Sequence, residues 1–222
     1  VSEQPLPVNH HADHPGFSGL TGSLFAWLFL LMGRDTARLA TELSGVGPAD
    51  TVVDVGCGAG NAVRAAARAG AHATGIDPSE SMLRVARTAT RASATVTWAQ
   101  GGAESIPLPD GAATVVWALA TVHHWPDVDR GLAEIRRVLA PGGRLLVLER
   151  HVQPGATGFA SHGWTTQQAE SFAALCRSAG LTDVRTTEHR AGRRDLWAVS
   201  GCRAPASDPT APASPRTPDA TP

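Results

Sequence analysis

Asp54, Gly56, Gly58, Gly60 and Asp77 are the residues whose types and spacing most clearly suit ligand binding. The stretch Val52 to Asn61 reads VVDVGCGAGN: a short apolar run, then glycines at alternate positions, then an alanine-rich segment. Glycine has no Cβ, so such a bend turns sharply and lets a ligand lie against bare backbone. A helix opening just after it offers unpaired N–H groups to a polar ligand. Asp77 ends the next apolar run, in Gly75-Ile76-Asp77-Pro78. An acid at that place can accept hydrogen bonds from both hydroxyls of a ribose. His123 and His124 follow a later apolar run. An unperturbed imidazole titrates at about pH 6.5, so either ring can take a proton at neutral pH. Glu149, His151 and His162 are weaker candidates for the same task. Cys57, inside the bend, is expected to fill space and not to act as a nucleophile.

Elements of alternating type must position these groups. Asp35 to Leu43 reads as a short amphipathic helix, stopped by Gly45, Gly47 and Pro48. Strands are expected at Thr51–Val55, His72–Ile76, Thr95–Ala99, Thr114–Leu119 and Arg144–Glu149. Helices are expected at Asn61–Ala69, from a Ser79 cap to about Thr90, at Asp127–Leu139 and at Thr165–Ala179. Thr182–Glu188 and Leu196–Gly201 would close the chain as paired strands joined through Ala191-Gly192. Alternation of this kind predicts an α/β fold with a mainly parallel sheet and helices on both faces. The expected organisation is a lid or substrate-side segment over 1–34, one domain over 35–203, and a disordered Pro/Ala/Ser/Thr tail over 204–222.

Composition removes several chemistries. All nineteen basic residues are Arg and there is no Tyr. A Lys Schiff base, a P-loop lysine and a phenol acid are therefore excluded. The net charge of −1 and the lack of a basic stripe give no footprint for nucleic acid. Three scattered cysteines fit neither a disulfide framework nor a zinc site, and suit a reducing, cytoplasmic location. His10, His11 and His14 lie close together without an acidic or Cys partner at ligand spacing, so no metal is expected. The apolar run 24–32, LFAWLFLLM, falls short of the roughly 20 residues that span a bilayer. It also lacks the basic flank and the clean cleavage site of a secretory signal. It is expected to cover the core or the substrate mouth, the alternative being a membrane-surface or homodimer contact. Phe17, Trp27, Trp125 and Trp164 could together line an apolar acceptor pocket, though each taken singly is expected to be core.

The glycine spacing is G-x-G-x-G, with Asn61 where a dehydrogenase loop would need its third glycine. It resembles the first motif of class I S-adenosylmethionine-dependent methyltransferases. Gly101 to Gly111, GGAESIPLPDG, is similar to that family's adenine-binding turn, with Gly102 where the family carries an acid. Val115 to Glu149 resembles the small-molecule, methyltransferase type 11-like branch in its strand, His-His turn, helix, Pro-Gly-Gly and strand. The motifs together cover about residues 40–150.

The resemblance implies a doubly wound, mainly parallel seven-stranded sheet. It implies methyl transfer from S-adenosylmethionine to a small, fairly apolar acceptor by in-line displacement, where positioning alone is worth about 7–11 kcal/mol. By the same resemblance Asp54 organises the methionine end of the cofactor, Asp77 holds the ribose, and Pro78 and Met82 pack on the adenine. Backbone N–H groups at Ala103 or Glu104 would meet the adenine amino group, and the Ala118 carbonyl the methionine ammonium. Ala118-Leu119-Ala120-Thr121 stands where the amide and adenine methylases carry Asn/Asp-Pro-Pro-Tyr. The alternatives are an NAD(P)-dependent oxidoreductase, against which Asn61 and the missing Tyr and Lys speak, and a non-catalytic binding module of the same fold.

Overall fold

The computed structural model describes residues 33–90, 93–156 and 161–206. The run 24–32, the histidines at 10, 11 and 14, Phe17, Trp27 and the tail from 207 lie outside the described residues. Five helices and seven strands follow in the order α1 (Arg34–Ser44), β1 (Thr51–Val55), α2 (Asn61–Arg68), β2 (His72–Asp77), α3 (Glu80–Ala89), β3 (Val96–Gln100) and β4 (Ala113–Leu119). A 3-10 turn (Val122–His124), α4 (Val128–Val138), β5 (Leu139–Arg150), α5 (Thr166–Ser178), β6 (Leu181–Ala191) and β7 (Arg194–Arg203) complete the domain. Local chemistry sets the helix starts. Ser79 accepts from the Met82 N–H, Asp127 from the Arg130 N–H, and Thr165 and Gln168 cap each other.

The strands form one sheet in the order β3-β2-β1-β4-β5-β7-β6. β3, β2, β1, β4 and β5 run parallel, while β7 lies antiparallel between β5 and β6. The expected doubly wound α/β sheet of seven strands is therefore present. Alternation along each strand divides the core. On one face Val52, Val115, Trp117 and Leu146 meet Ala40 of α1 and Val63 and Ala66 of α2. On the other, Val53, Val116 and Val147 meet Leu132 and Ile135 of α4 and Phe172 of α5. The small alanines let α1 and α2 lie close to the sheet. The end of α1 is tied down by Trp117 Nε1, which donates to Ser44 Oγ at 3.1 Å, and by Arg144 Nε, which donates to the Ser44 carbonyl at 2.7 Å.

The larger departures from the sequence expectation lie at the junction of α4 and β5, where β5 begins at Leu139 and not at Arg144, and in β6 and β7. α4 ends at Val138 and Leu139 is already extended, paired with Ala113. Proline disfavours helical backbone in the residue before it, so Pro141 draws Ala140 out of the helix. Gly142 then turns at φ +77°, and regular pairing resumes at Val115 and Arg144. β6 and β7 are longer than expected because Gly192, at φ +60°, closes a two-residue turn that keeps Ala191 and Arg194 paired.

Arg137 of α4 anchors the turn after β3. It donates to Glu134, to Asp110 and to the carbonyls of Ile106 and Leu108 at 2.7–2.9 Å. With the guanidinium 31% exposed, screening reduces its value. Arg137→Ala is expected to lower stability by about 1–2 kcal/mol and to speed amide exchange at Ile106 and Leu108. Exchange there at the wild-type rate would show that the turn holds without it.

Candidate functional site

The order in which strands are added to the sheet reverses between the parallel neighbours β1 and β4. Their pairing stops at Asp54 and Trp117, while β1 stays paired with β2 as far as Val55 and Ile76. A crevice therefore opens at the carboxyl ends of the strands, where ligands of such sheets bind. Asp54 stands at its inner end. Ala118, fully buried, follows the last β1–β4 pair on the other side.

The glycine bend closes one wall. The Gly56 and Cys57 N–H groups both donate to the Ile76 carbonyl. Gly56, Gly58 and Gly60 have φ of +75°, +50° and +78°, a region that side chains with a Cβ adopt at a cost of about 1–2 kcal/mol. Their surroundings differ. A Cβ on Gly56 would run into the Thr121 side chain, and one on Gly60 into the Trp98 indole. Only Gly58 faces open space. Two of the three glycines are thus explained by the chain's own packing. Neither Thr121 nor Trp98 stood out in the sequence, because each is far from the bend along the chain. Trp98 also covers Gly75, its neighbour across β2 and β3.

Asp54 is 2% exposed, and among the described residues no donor reaches its Oδ1. Burial, with a smaller push from the Asp77 charge, raises this carboxyl to about 7. Asp77 is also buried, but both its oxygens are engaged. Oδ2 accepts from the Gly58 N–H at 2.8 Å and Oδ1 from the Ser79 N–H at 2.9 Å. Burial still lifts it above the usual carboxylate range, against the pull of those two bonds. Burial, then the charges of Asp54 and Asp77, push the Cys57 thiol well up, which fits a space-filling residue.

The remaining residues expected at the cofactor scatter around this crevice. Met82 packs with Ala59 and Val85 at the start of α3. Pro78 is exposed, and its carbonyl accepts from Gln100 Nε2. Ala103 is buried in the larger core cluster with Trp125. The Glu104 carboxylate turns away from the crevice to accept from the Asp127 N–H at 3.3 Å. Its carbonyl accepts from Arg130 Nε.

Across the crevice lies a cluster of histidines. His123, 7% exposed, sits on the 3-10 turn after β4 with its Nδ1 2.9 Å from Glu149 Oε2. Glu149 is fully buried at the end of β5 and also accepts from the Val122 N–H at 2.8 Å. Burial pulls the His123 ring down, but the charge and hydrogen bond of Glu149 outweigh it and hold the ring above the ordinary histidine range. His124 is exposed, with its ring centroid 4.1 Å from that of His123. His162 reaches the same place, 5.6 and 5.9 Å from the two rings. His151 lies apart, beside Trp197 and Glu188. Trp125 and Trp164 are buried in the core, the Trp164 ring centroid 4.7 Å from that of Phe172.

Comparison with known proteins agrees with this geometry. The model of a methyltransferase domain matches residues 53–147, from β1 into β5. The chain is 36% identical over 122 residues to a demethylmenaquinone methyltransferase of Tropheryma whipplei, covering 55% of this chain and 51% of that protein. It is 36% identical over 179 residues to the 27-O-demethylrifamycin SV methyltransferase of Amycolatopsis mediterranei, covering 73% and 66%. It is 30% identical over 179 residues to the malonyl-[acyl-carrier protein] O-methyltransferase of Serratia marcescens, covering 81% and 67%. The chain thus spans about half to two thirds of the length of these relatives. In fold it matches an S-adenosylmethionine-dependent methyltransferase of Mesorhizobium loti with a TM-score of 0.63, at 21% identity, over 78% of this chain and all of that one. The glycine bend, the two buried acids and the relatives lead to one assignment: the chain belongs to the methyltransferase domain family.

Proposed function

We propose that this chain transfers a methyl group from S-adenosylmethionine to a small, fairly apolar acceptor that presents a hydroxyl. The observation that carries the proposal is the orphaned Asp54 Oδ1, buried beside a bend whose one open glycine is Gly58. A carboxyl in that state demands a cation or a donor. When bound, the cofactor supplies a methyl on a cationic sulfur, activated for in-line displacement. Asp54 answers the positive charge at the methionine end, with the Ala118 carbonyl on the opposite wall. Gly56, Gly58 and Gly60 keep the bend thin enough for close approach. Asp77 retains lone pairs beyond its two backbone bonds and takes the ribose hydroxyls. Pro78, Met82, Ala103 and Glu104 border the adenine end.

His123, oriented by Glu149, and His124 stand where an acceptor would lose its proton. That placement favours a hydroxyl acceptor over a carbon one. The three relatives are named for a quinone, a rifamycin and a carrier-bound malonyl group, so the family alone does not choose the acceptor. The net charge of −1 and the lack of a basic stripe along the sequence favour a small acceptor over a nucleic acid. Cys57, Cys176 and Cys202 are all free thiols, which suits the cytoplasm. No described helix is long and apolar enough to cross a membrane. We assign the catalytic unit to 35–203 and the apolar 24–32 run to covering the acceptor side, with a membrane surface or a second copy as its other candidate partner.

Calorimetric titration with S-adenosylhomocysteine and with NADH tests the cofactor. Saturable binding of the first is expected; binding of NADH alone would reverse the proposal in favour of an oxidoreductase. For the base, His123→Ala and His124→Ala should not both keep wild-type turnover. Full turnover in each across about pH 6–8 would remove the histidines from the reaction.

A further inference from the structure

We propose that His123, His124 and His162 together bind one divalent transition-metal ion, Zn²⁺ being the natural probe, with Glu149 orienting His123. Sequence spacing gave no reason to expect a metal, because His162 is remote from the other two along the chain. In the fold one ring nitrogen from each of the three lies within 4.8 Å of the others. Three imidazoles bound to zinc at 2.0–2.1 Å in tetrahedral geometry would have nitrogens about 3.3 Å apart. Reaching that spacing would require the rings of His124, which is exposed, and His162, which is half-buried, to shift from their present positions.

Two further features are those of a metal site. The His123 Nδ1 is taken by the buried Glu149, so Nε2 is the nitrogen left for an ion. A carboxylate behind a ligating histidine is the usual outer support of such sites, since it fixes the ring and its tautomer. The third ligand is also held in place. Trp164 N–H donates to the Arg150 carbonyl at 2.8 Å, and Val152 N–H to the Trp164 carbonyl at 2.9 Å. Gly163, at φ +140°, puts the Arg150 backbone where a Cβ would stand. The segment that carries His162 is thereby tied at Trp164 to the end of β5.

Three histidine ligands leave a fourth position open, as in metal sites that act on substrate. If the chain is the methyltransferase proposed above, that position faces the acceptor. A hydroxyl bound there would lose its proton to solvent more readily and present its oxygen to the methyl group. His123 and His124 would then act as ligands instead of taking the proton themselves. Metal binding itself does not depend on that reading.

The test is titration of the metal-stripped full chain with Zn²⁺, together with the visible absorption of Co²⁺. One ion per chain is expected at this site, and His124→Ala and His162→Ala should each weaken it at least tenfold. Glu149→Gln should weaken it about 10–100-fold while leaving the ligands in place. The triple variant His10→Ala/His11→Ala/His14→Ala should bind as wild type, which separates this cluster from the N-terminal histidines. The proposal is overturned if the wild type shows no saturable binding, if both single variants bind as wild type, or if only the triple variant loses the ion. Circular dichroism of the same proteins reports folding, and S-adenosylhomocysteine binding is measured separately. Zinc binding without it would fail the functional proposal and keep the metal one.

Discussion

Asp54→Asn is expected to stabilise the free protein at pH 8 while weakening S-adenosylhomocysteine binding at least tenfold. The opposite signs come from one cause. In the unfolded chain this carboxyl titrates near 3.8, whereas burial and the Asp77 charge raise it to about 7 in the fold. Between those values the unfolded state gives up its proton and the folded state keeps it, so folding is increasingly disfavoured as pH rises. Above about 7 the penalty is constant, on the order of 4 kcal/mol at 1.36 kcal/mol per pKa unit. An amide carries no such penalty, although its NH2 needs a partner and gives back about 1–3 kcal/mol. Melting curves of the two proteins should therefore diverge from pH 4 to pH 8. A constant difference across that range would show that Asp54 does not titrate as described. The ammonium of the ligand's amino-acid end supplies the cation that the buried carboxyl lacks, so wild-type binding near pH 7 should also release a proton, and Asp54→Asn should not.

Gly56→Ala and Gly58→Ala should separate packing from binding within a single loop. Both incur the left-handed strain of about 1–2 kcal/mol. Gly56→Ala adds a collision with Thr121, worth a further 1–3 kcal/mol or so. The sum, roughly 2–5 kcal/mol, is a large share of a stability of about 5–15 kcal/mol. Gly58→Ala meets nothing within 4 Å in the free chain, so its stability loss stays near the strain alone. Its methyl instead enters the space proposed for the cofactor and should abolish binding. Urea unfolding and calorimetry on the pair check both halves. Equal stability losses would mean that Thr121 yields freely, and intact binding by Gly58→Ala would move the cofactor elsewhere.

Much of this was legible because it is written in short stretches. The strand–bend–helix around Gly56, the acid ending β2 at Asp77 and the cap at Ser79 each depend on residues a few positions apart, and each formed where expected; Asp127 and Thr165, expected as the first residues of their helices, are instead the N-caps. Alternation of elements gave the mainly parallel sheet with helices on both faces, while its doubly wound order came only with the family resemblance. What stayed hidden depends on contacts between distant segments. Trp98 fills the space over Gly60 and Gly75, and Thr121 that over Gly56, yet no periodicity ties those positions together. Glu149 was a weak candidate as the acid ending an apolar strand, but its bond to His123 appears only when β4 and β5 lie side by side. Glu104 matched the adenine turn by motif, while its carboxylate accepts from the Asp127 N–H at the start of α4 and its carbonyl from Arg130 Nε.

Asp77 carries a final consequence for redesign. Its two oxygens staple Gly58 to the start of α3 through the Gly58 and Ser79 N–H groups. Exchanging this residue for a basic one, to welcome a phosphorylated sugar, would strip both amides of their acceptor and slacken the turn before any new nucleotide arrived. Engineering altered donor preference in this scaffold must therefore first give those two amides another anchor.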